Sequence, residues 1–271
     1  MRIGTNVLST NVLSMNARQS LYENEKRMNV AMEHLATGTK LNNASDNPTN
    51  IAIVTRMHAR ASGMRVAIRN NEDAISMLRT AEAALQTVTN ILQRMRDLAV
   101  QSANGTNSNK NRHSLNKEFQ SLAEQIGYIG ETTEFNDLSV FDGQNRPITL
   151  DDIGHTINMT KHIPPSPTQH DIKISTEQEA RAAILKIEEA LQNVSLHRAD
   201  LGSMINRLQF NIENLNSQSM ALTDTASQVE DADMAQEISD FLKFKLLTEV
   251  ALSMVSQANQ IPQIVSKLLQ S

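Results

Sequence analysis

The stretch Asn70 to Ala103 places small and apolar residues at alternating steps of three and four: Leu78, Ala81, Leu85, Val88, Leu92, Met95, Ala99 and Ser102. That spacing closes into one stripe on an α-helix and into no single face of a strand. A second row, Met77, Ala84, Ile91 and Leu98, widens the stripe from a two-helix seam to a face that fits inside a bundle. A helix this long and one-sided requires a partner. The partner stands later in the chain, where Ile187, Val194, Leu201, Leu208, Leu215, Leu222 and Val229 recur at every seventh residue. Leu191, Ile205, Ile212 and Ala226 accompany them, and Arg198 and Ser219 interrupt the row. The expected fold is mainly α: a long antiparallel coiled-coil helical bundle with a small β-hairpin region and paired N- and C-terminal helices.

Composition supports helices packed on helices. Aromatics make up 3% of 271 residues, Trp is absent and Met reaches 13, so the core is built from Leu, Ile, Val, Ala and Met. A net charge of -5 without a Lys/Arg cluster gives no reason to expect a nucleic-acid partner. The absence of Cys excludes disulfides and thiolate metal sites. No window approaches the ~18 apolar residues of a membrane span, so no membrane partner is expected. The opening MRIGTNVLSTNVLSMNARQS is broken by Asn, Ser and Thr, which argues against a Sec-type signal peptide. Export, if it occurs, then uses another route.

Taken in order, residues 1 to about 37 acquire helical spacing through Leu21, Met28, Ala31, Met32 and Leu35, and Gly38 marks the stop. The short NVLS duplication, at Asn6 and Asn11, cannot present both copies on one helix face. Lys40 to Asn50 is loop chemistry, with helix resuming near Ile51, tolerating Gly63 and ending about Ala103. A shorter helix, Asn109 to Gly127, carries Leu115, Phe119, Leu122 and Ile126 and folds back as a hairpin. Between about 132 and 175, DLSVFDG, PITLDDIG, HTINMT and DIKIS read as small strands, with IPPSP a rigid loop. Ser175 and Gln178 form a capping-box pattern ahead of the partner helix. The last segment, from about Glu230, carries Leu247, Ala251, Met254, Ala258, Ile261, Val265 and Leu268, with a local kink expected at Pro262. This terminal stripe has no local partner, so it pairs with the N-terminal helix, with another subunit, or with both.

Enzymatic readings lack support in the residues. The seven His form no HExxH, and no Gly-rich phosphate loop or GxSxG elbow occurs. Asp151, Asp152, His155, His162 and His170 crowd one segment, which is expected to be a solvated loop. No enzyme activity, cofactor or metal is expected.

Several motifs resemble one family. MRIGTNV, ATGTKLNNASDNP, NNEDAISMLRTAEAAL, LQRMRDLAVQSANGT, TEFND, RADLGSMINRL, VEDADMAQE and SQANQIPQIVSKLL are similar to bacterial flagellin motifs, in the same order, failing only over about Asp142 to Ser175. The resemblance implies a short flagellin with little or no outer domain. It implies inner-tube terminal helices from 1–44 and 232–271, and a bundle domain from 45–231 that holds the β segment. Asn47-Pro48 stands where many flagellins carry Asp and Ala, and Lys243 and Lys245 place charge in a stretch that usually has less.

The function so implied is a structural subunit, secreted through the type III export apparatus with an export chaperone and polymerised into the flagellar filament. Implied partners are further copies of itself and the hook-associated and cap proteins. A hook-filament junction protein or an unrelated secreted coiled-coil protein are the alternatives. The seam residues are expected to be Leu78, Leu85, Val88, Leu92, Met95, Val194, Leu201, Leu208, Leu215 and Leu222. Filament assembly is expected to use Leu21, Met28, Leu35, Leu247, Met254, Ile261, Val265 and Leu268. By resemblance, Arg94, Leu98, Gln101 and Glu118 match the epitope read by the Toll-like flagellin receptor of animal hosts. Val265, Leu268 and Leu269 match a C-terminal motif sensed by cytosolic inflammasome receptors. The sequons at Asn104, Asn158 and Asn193 are expected to be chance occurrences.

Overall fold

A computed structural model describes residues 12–159 and 172–270, with the side chains of all of these except Met159 and residues 261–270. The first NVLS copy, His162, His170, the IPPSP loop and the side chains of Ile261, Val265, Leu268 and Leu269 lie outside the described residues. Among the described residues, five helices account for most of the chain. They are α1 (Val12–Thr37), α2 (Pro48–Ala103), α3 (Asn109–Thr132), α4 (Glu177–Glu230) and α5 (Met234–Gln270). Four short strands stand between α3 and α4: β1 (Glu134–Phe135), β2 (Leu138–Ser139), β3 (Arg146–Thr149) and β4 (Thr156–Met159). The chain divides into a terminal unit, Met1–His58 with Leu222–Ser271, and a central unit, Ala59–Ala221. Both boundaries fall inside the long helices α2 and α4, whereas the breaks read from the sequence stand at about 44 and 232.

In the central unit the two heptad rows meet. Leu78, Leu85, Val88, Leu92 and Met95 are at most 1% exposed, as are Val194, Leu201 and Leu208. Burying each Leu so completely contributes roughly 1.5–3 kcal/mol relative to leaving it in water. Leu215 is also buried, whereas Leu222, which belongs to the terminal unit, is half-buried. Polar contacts fix the direction of the pair. Arg96 Nη2 donates to Glu188 at 3.1 Å, Arg198 Nη2 donates to Glu82 at 2.7 Å and Ser219 Oγ donates to the Ala61 carbonyl at 3.5 Å. Partner numbers rise on α4 as they fall on α2, so the helices run antiparallel. The Arg198 that interrupts the apolar row is thereby given an ionic partner.

Phe119, Ala123 and Ile126 bring α3 into the same core. Ser108 caps it by accepting the Asn111 N–H at 3.3 Å. The helix runs on to Thr132, past the expected end at Gly127, because Ile129 packs, partly buried, against the core and offsets the helix cost of the glycines.

Two hairpins follow. Asn136 and Asp137, at φ 51° and 60°, form the two-residue turn between β1 and β2, which explains the ND of TEFND. In the second hairpin, Arg146 to Thr149 pairs antiparallel with Thr156 to Met159. The Leu150 carbonyl at its turn accepts both Asn211 Nδ2 (2.8 Å) and Asn71 Nδ2 (3.4 Å), which ties the hairpin to α4 and α2.

Several boundaries differ from the sequence expectation. The described part of DIKIS, from Ile172, forms no strand; its backbone is held by Gln120, Asn116 and Ser102 side chains instead. The capping box lies one residue later than Ser175-Gln178. Thr176 N–H donates to Glu179 at 3.1 Å and Glu179 N–H returns to Thr176 Oγ1 at 3.2 Å. Helix α2 begins at Pro48, not near Ile51, because proline needs no N–H partner in a first turn and Asn47 caps the Asn50 N–H at 3.1 Å. Met32 is 50% exposed, off the buried side of α1.

Candidate assembly surface

In the terminal unit, α1 and α5 lie against each other. Ser14 Oγ donates to Asn259 Oδ1 at 2.8 Å, and His34 Nδ1 meets Glu237 Oε1 at 2.9 Å near the other end, so the pair is antiparallel. Ala31, Ala251 and Ala258 are buried here, so small side chains supply the closely packed part of this pairing. The large apolar residues are mostly left outside it. Val12, Leu13, Met15 and Tyr22 on α1 and Leu242, Leu246, Val250, Leu252 and Met254 on α5 are all more than half exposed. A groove of about 620 Å³ between the helices is lined by Leu13, Ala17, Phe244, Leu247, Val250 and Met254, among others. Arg27 and Lys243 stand over the Phe244 ring, 5.7 and 5.3 Å from its centre. This places the unusual Lys243 beside an aromatic face as well as in solvent.

The loops entering these helices are fixed by backbone chemistry. Gly38 adopts φ 78° after α1, and its N–H closes the helix on His34 at 2.8 Å. Thr39 bridges Asp231, Lys40 N–H donates to the Glu230 carbonyl at 2.7 Å and Ala232 N–H to the Gly38 carbonyl at 3.0 Å. Asp233 then caps α5 by accepting the Ala235 and Gln236 N–H groups at 3.0 and 3.2 Å. The motifs ATGTKLNNASDNP and VEDADMAQE, far apart in sequence, are thus the two sides of one turn assembly. His58 Nε2 and Glu230 Oε1, 2.9 Å apart, reinforce it.

Among the residues expected to drive assembly, Leu21, Met28 and Leu35 are half-buried, while Leu247 is 40% and Met254 54% exposed. Ile261, Val265 and Leu268 fall in α5, which stays helical through Pro262, but their side chains are outside the described residues. The four receptor-motif residues belong to the central unit and are not alike. Arg94 presents Nε and Nη2 to Glu118 Oε1 at 2.9 and 2.7 Å, both side chains about half exposed. Gln101 is exposed, and Leu98 is 1% exposed because its flanking row is turned into the core. Sequence reasoning missed the exposed α5 residues Leu242, Leu246, Val250 and Leu252. Their signal was an apolar stretch wider than one stripe, since Leu246, Leu247, Val250, Ala251 and Leu252 span more than one helix face.

The model for the bacterial flagellin N-terminal helical region matches residues 8–146, and that for the C-terminal helical region matches residues 184–269. This chain belongs to the bacterial flagellin family. The segment between the two flagellin regions holds β4 and the turn that docks on Asn71 and Asn211. A flagellin of Listeria monocytogenes is 34% identical over 97% of this chain and 99% of its own length. A flagellin of Halalkalibacterium halodurans is 38% identical with the same coverage. The crystal structure of Bacillus cereus flagellin, 38% identical, superposes with TM-score 0.51 over 54% of this chain and 88% of that one. A hook-associated protein structure from Vibrio parahaemolyticus, at 16% identity and TM-score 0.56 over 69% of this chain and 100% of that one, shares the fold. Among the described residues no helix is long and apolar enough to cross a membrane.

Proposed function

We infer that this chain is a subunit of the extracellular flagellar filament, a structural protein of swimming motility that assembles through its terminal helices. The observation that carries the mechanism is the exposed apolar surface of α1 and α5, whose large side chains flank a contact packed on Ser14, Ala31, Ala251 and Ala258. Contiguous exposed apolar faces on a soluble chain are covered by a partner, and in a helical homopolymer that partner is the next copy. Association is then heterologous and non-closing, which propagates into a filament. The domain reading that follows is an inner-tube part from about 1–44 and 232–271, with 45–231 forming the bundle domain. Leu21, Met28, Leu35, Leu247, Met254, Ile261, Val265 and Leu268 are the residues we assign to assembly, joined by Leu242, Leu246 and Val250.

Family membership supports further partners. An export chaperone that covers the α5 face before secretion would solve the same exposure problem inside the cell. The type III export apparatus, the hook-associated proteins and the cap protein complete the path. Arg94, Gln101 and Glu118 are accessible to a host Toll-like receptor, whereas Leu98 would need the local core to open. Seeding purified chain with sheared filament fragments and viewing the product by negative-stain electron microscopy tests the main reading. Long tubes are expected; discrete closed oligomers would overturn it.

A further inference from the structure

We propose that Asn104-Gly105, in the turn between α2 and α3, is a site of spontaneous covalent modification: deamidation through a cyclic imide. It is the single Asn-Gly step in the chain. Both residues are exposed, and a Cβ built on Gly105 meets nothing within 4 Å, so the side-chain face of the glycine is uncrowded. No hydrogen bond engages the Gly105 N–H, while its neighbours' N–H groups are held: Asn104 by the Gln101 carbonyl and Asn107 by the Asn104 carbonyl. The Thr106 N–H donates to Asn104 Oδ1 at 3.2 Å. That bond draws electron density from the side-chain carbonyl and stabilises the oxygen as it becomes an oxyanion.

The reaction requires only water. The Gly105 backbone nitrogen loses its proton and attacks Asn104 Cγ, forming a C–N bond. The Cγ–Nδ2 bond then breaks, with that proton leaving on ammonia. Water adds to either carbonyl of the five-membered imide and reopens it as Asp or as isoaspartate. Neither oxidant nor reductant is consumed.

The consequence falls on Arg112. Its side chain is buried, its Nη2 donates to the Asn104 main-chain carbonyl at 3.1 Å, and its Nη1 has no hydrogen-bond partner. The Asp product brings a carboxylate close to this guanidinium. The isoaspartate product inserts a methylene into the backbone and displaces the carbonyl that Arg112 grips. Modification therefore reports at the α2–α3 turn.

The test is peptide mapping by mass spectrometry of the full-length chain after incubation at mildly alkaline pH, with ammonia release followed in parallel. Asn107-Ser108 in the same loop is the internal reference, its Nδ2 held by the Gln101 carbonyl at 2.7 Å. Conversion at Asn104 is expected to run roughly tenfold or more faster than at Asn107, because glycine lacks the Cβ that hinders ring closure. G105A has room for its methyl group and is expected to keep the fold while reducing conversion to the Asn107 level. Equal rates at the two positions, or an unchanged rate in G105A, would overturn the proposal.

Discussion

Gly63 on α2 lies directly beneath Asp152 of the β3–β4 turn: a Cβ on the glycine would stand 2.9 Å from the Asp152 Cβ. Beside it, Arg60 Nε donates to Asp152 Oδ2 at 3.0 Å, which holds the turn down on the helix. Glycine inside a helix normally costs about 1 kcal/mol against alanine. Here the close approach reverses the sign. G63A is expected to destabilise the central unit by about 1–2 kcal/mol through overpacking, read as a lowered urea midpoint. A rise in stability would show that the hairpin does not sit on α2.

The seam makes a contrasting prediction. Leu92 is 0% exposed and Phe210, on the outer side of α4, is 70% exposed. L92A is expected to cost about 2–5 kcal/mol from lost burial and a cavity, whereas F210S stays within about 0.5 kcal/mol. Chemical denaturation of the two variants measures the difference.

A pH dependence resides in the second hairpin. His155 Nδ1 hydrogen-bonds Asp151 Oδ2, and Asp151 Oδ1 accepts the Ile153, Gly154 and His155 N–H groups at 3.0, 2.8 and 2.9 Å. The bond to His155, helped by the His155 and Ile153 N–H groups, holds the Asp151 carboxyl at about 2, and Asp151 in turn raises the His155 pKa. The Asp151 contribution is present above the unfolded carboxylate value of about 3.9 and fades as pH falls through about 2. The His155 contribution is present below the unfolded imidazole value of about 6.5 and fades as pH rises through the raised value. The turn is therefore best ordered between those two unfolded values. NMR titration of the His155 ring is expected to show a raised midpoint that returns toward the ordinary value in D151N.

The Arg94–Glu118 pair is exposed, so its removal is expected to change stability by less than about 1 kcal/mol. If the receptor reading holds, R94A reduces activation of a Toll-like flagellin receptor in a reporter cell while thermal unfolding stays in place. Unaltered activation would exclude Arg94 from that contact.

The helices were legible because a period of seven writes the seam directly into the residue order. Leu78 through Ser102 and Ile187 through Leu215 needed no structural information to be placed on one buried stripe. Boundaries were less legible where two local solutions compete. Ser175-Gln178 and Thr176-Glu179 both satisfy a capping box, and only the backbone geometry selects the second. Gly127 suggested an end to α3, but the packing of partly buried Ile129 against the core outweighed local propensity. The hairpin docking was invisible: Arg60 and Asp152 are joined across 92 positions, and Asn71, 0% exposed and one heptad before Leu78, has its burial written in the seam register but not its amide bond to the hairpin. The assembly surface was half legible: the α5 stripe was evident, but not that Ala251 and Ala258 face α1 while Leu242, Leu246 and Val250 remain outside.

Backbone amide exchange across Leu242 to Gln260, in free subunit and in polymerised filament, tests the central claim most directly. Helix α5 packs on α1 most closely at Ala251 and Ala258 and leaves Leu242, Leu246, Val250, Leu252 and Met254 largely in water, so its opening in the free subunit costs little. Covering those side chains with neighbouring copies adds apolar burial that every opening must undo. The account predicts fast exchange in the free subunit and protection raised by at least about a hundredfold in the filament, equivalent to about 2.7 kcal/mol. Equal protection in the two states would contradict it.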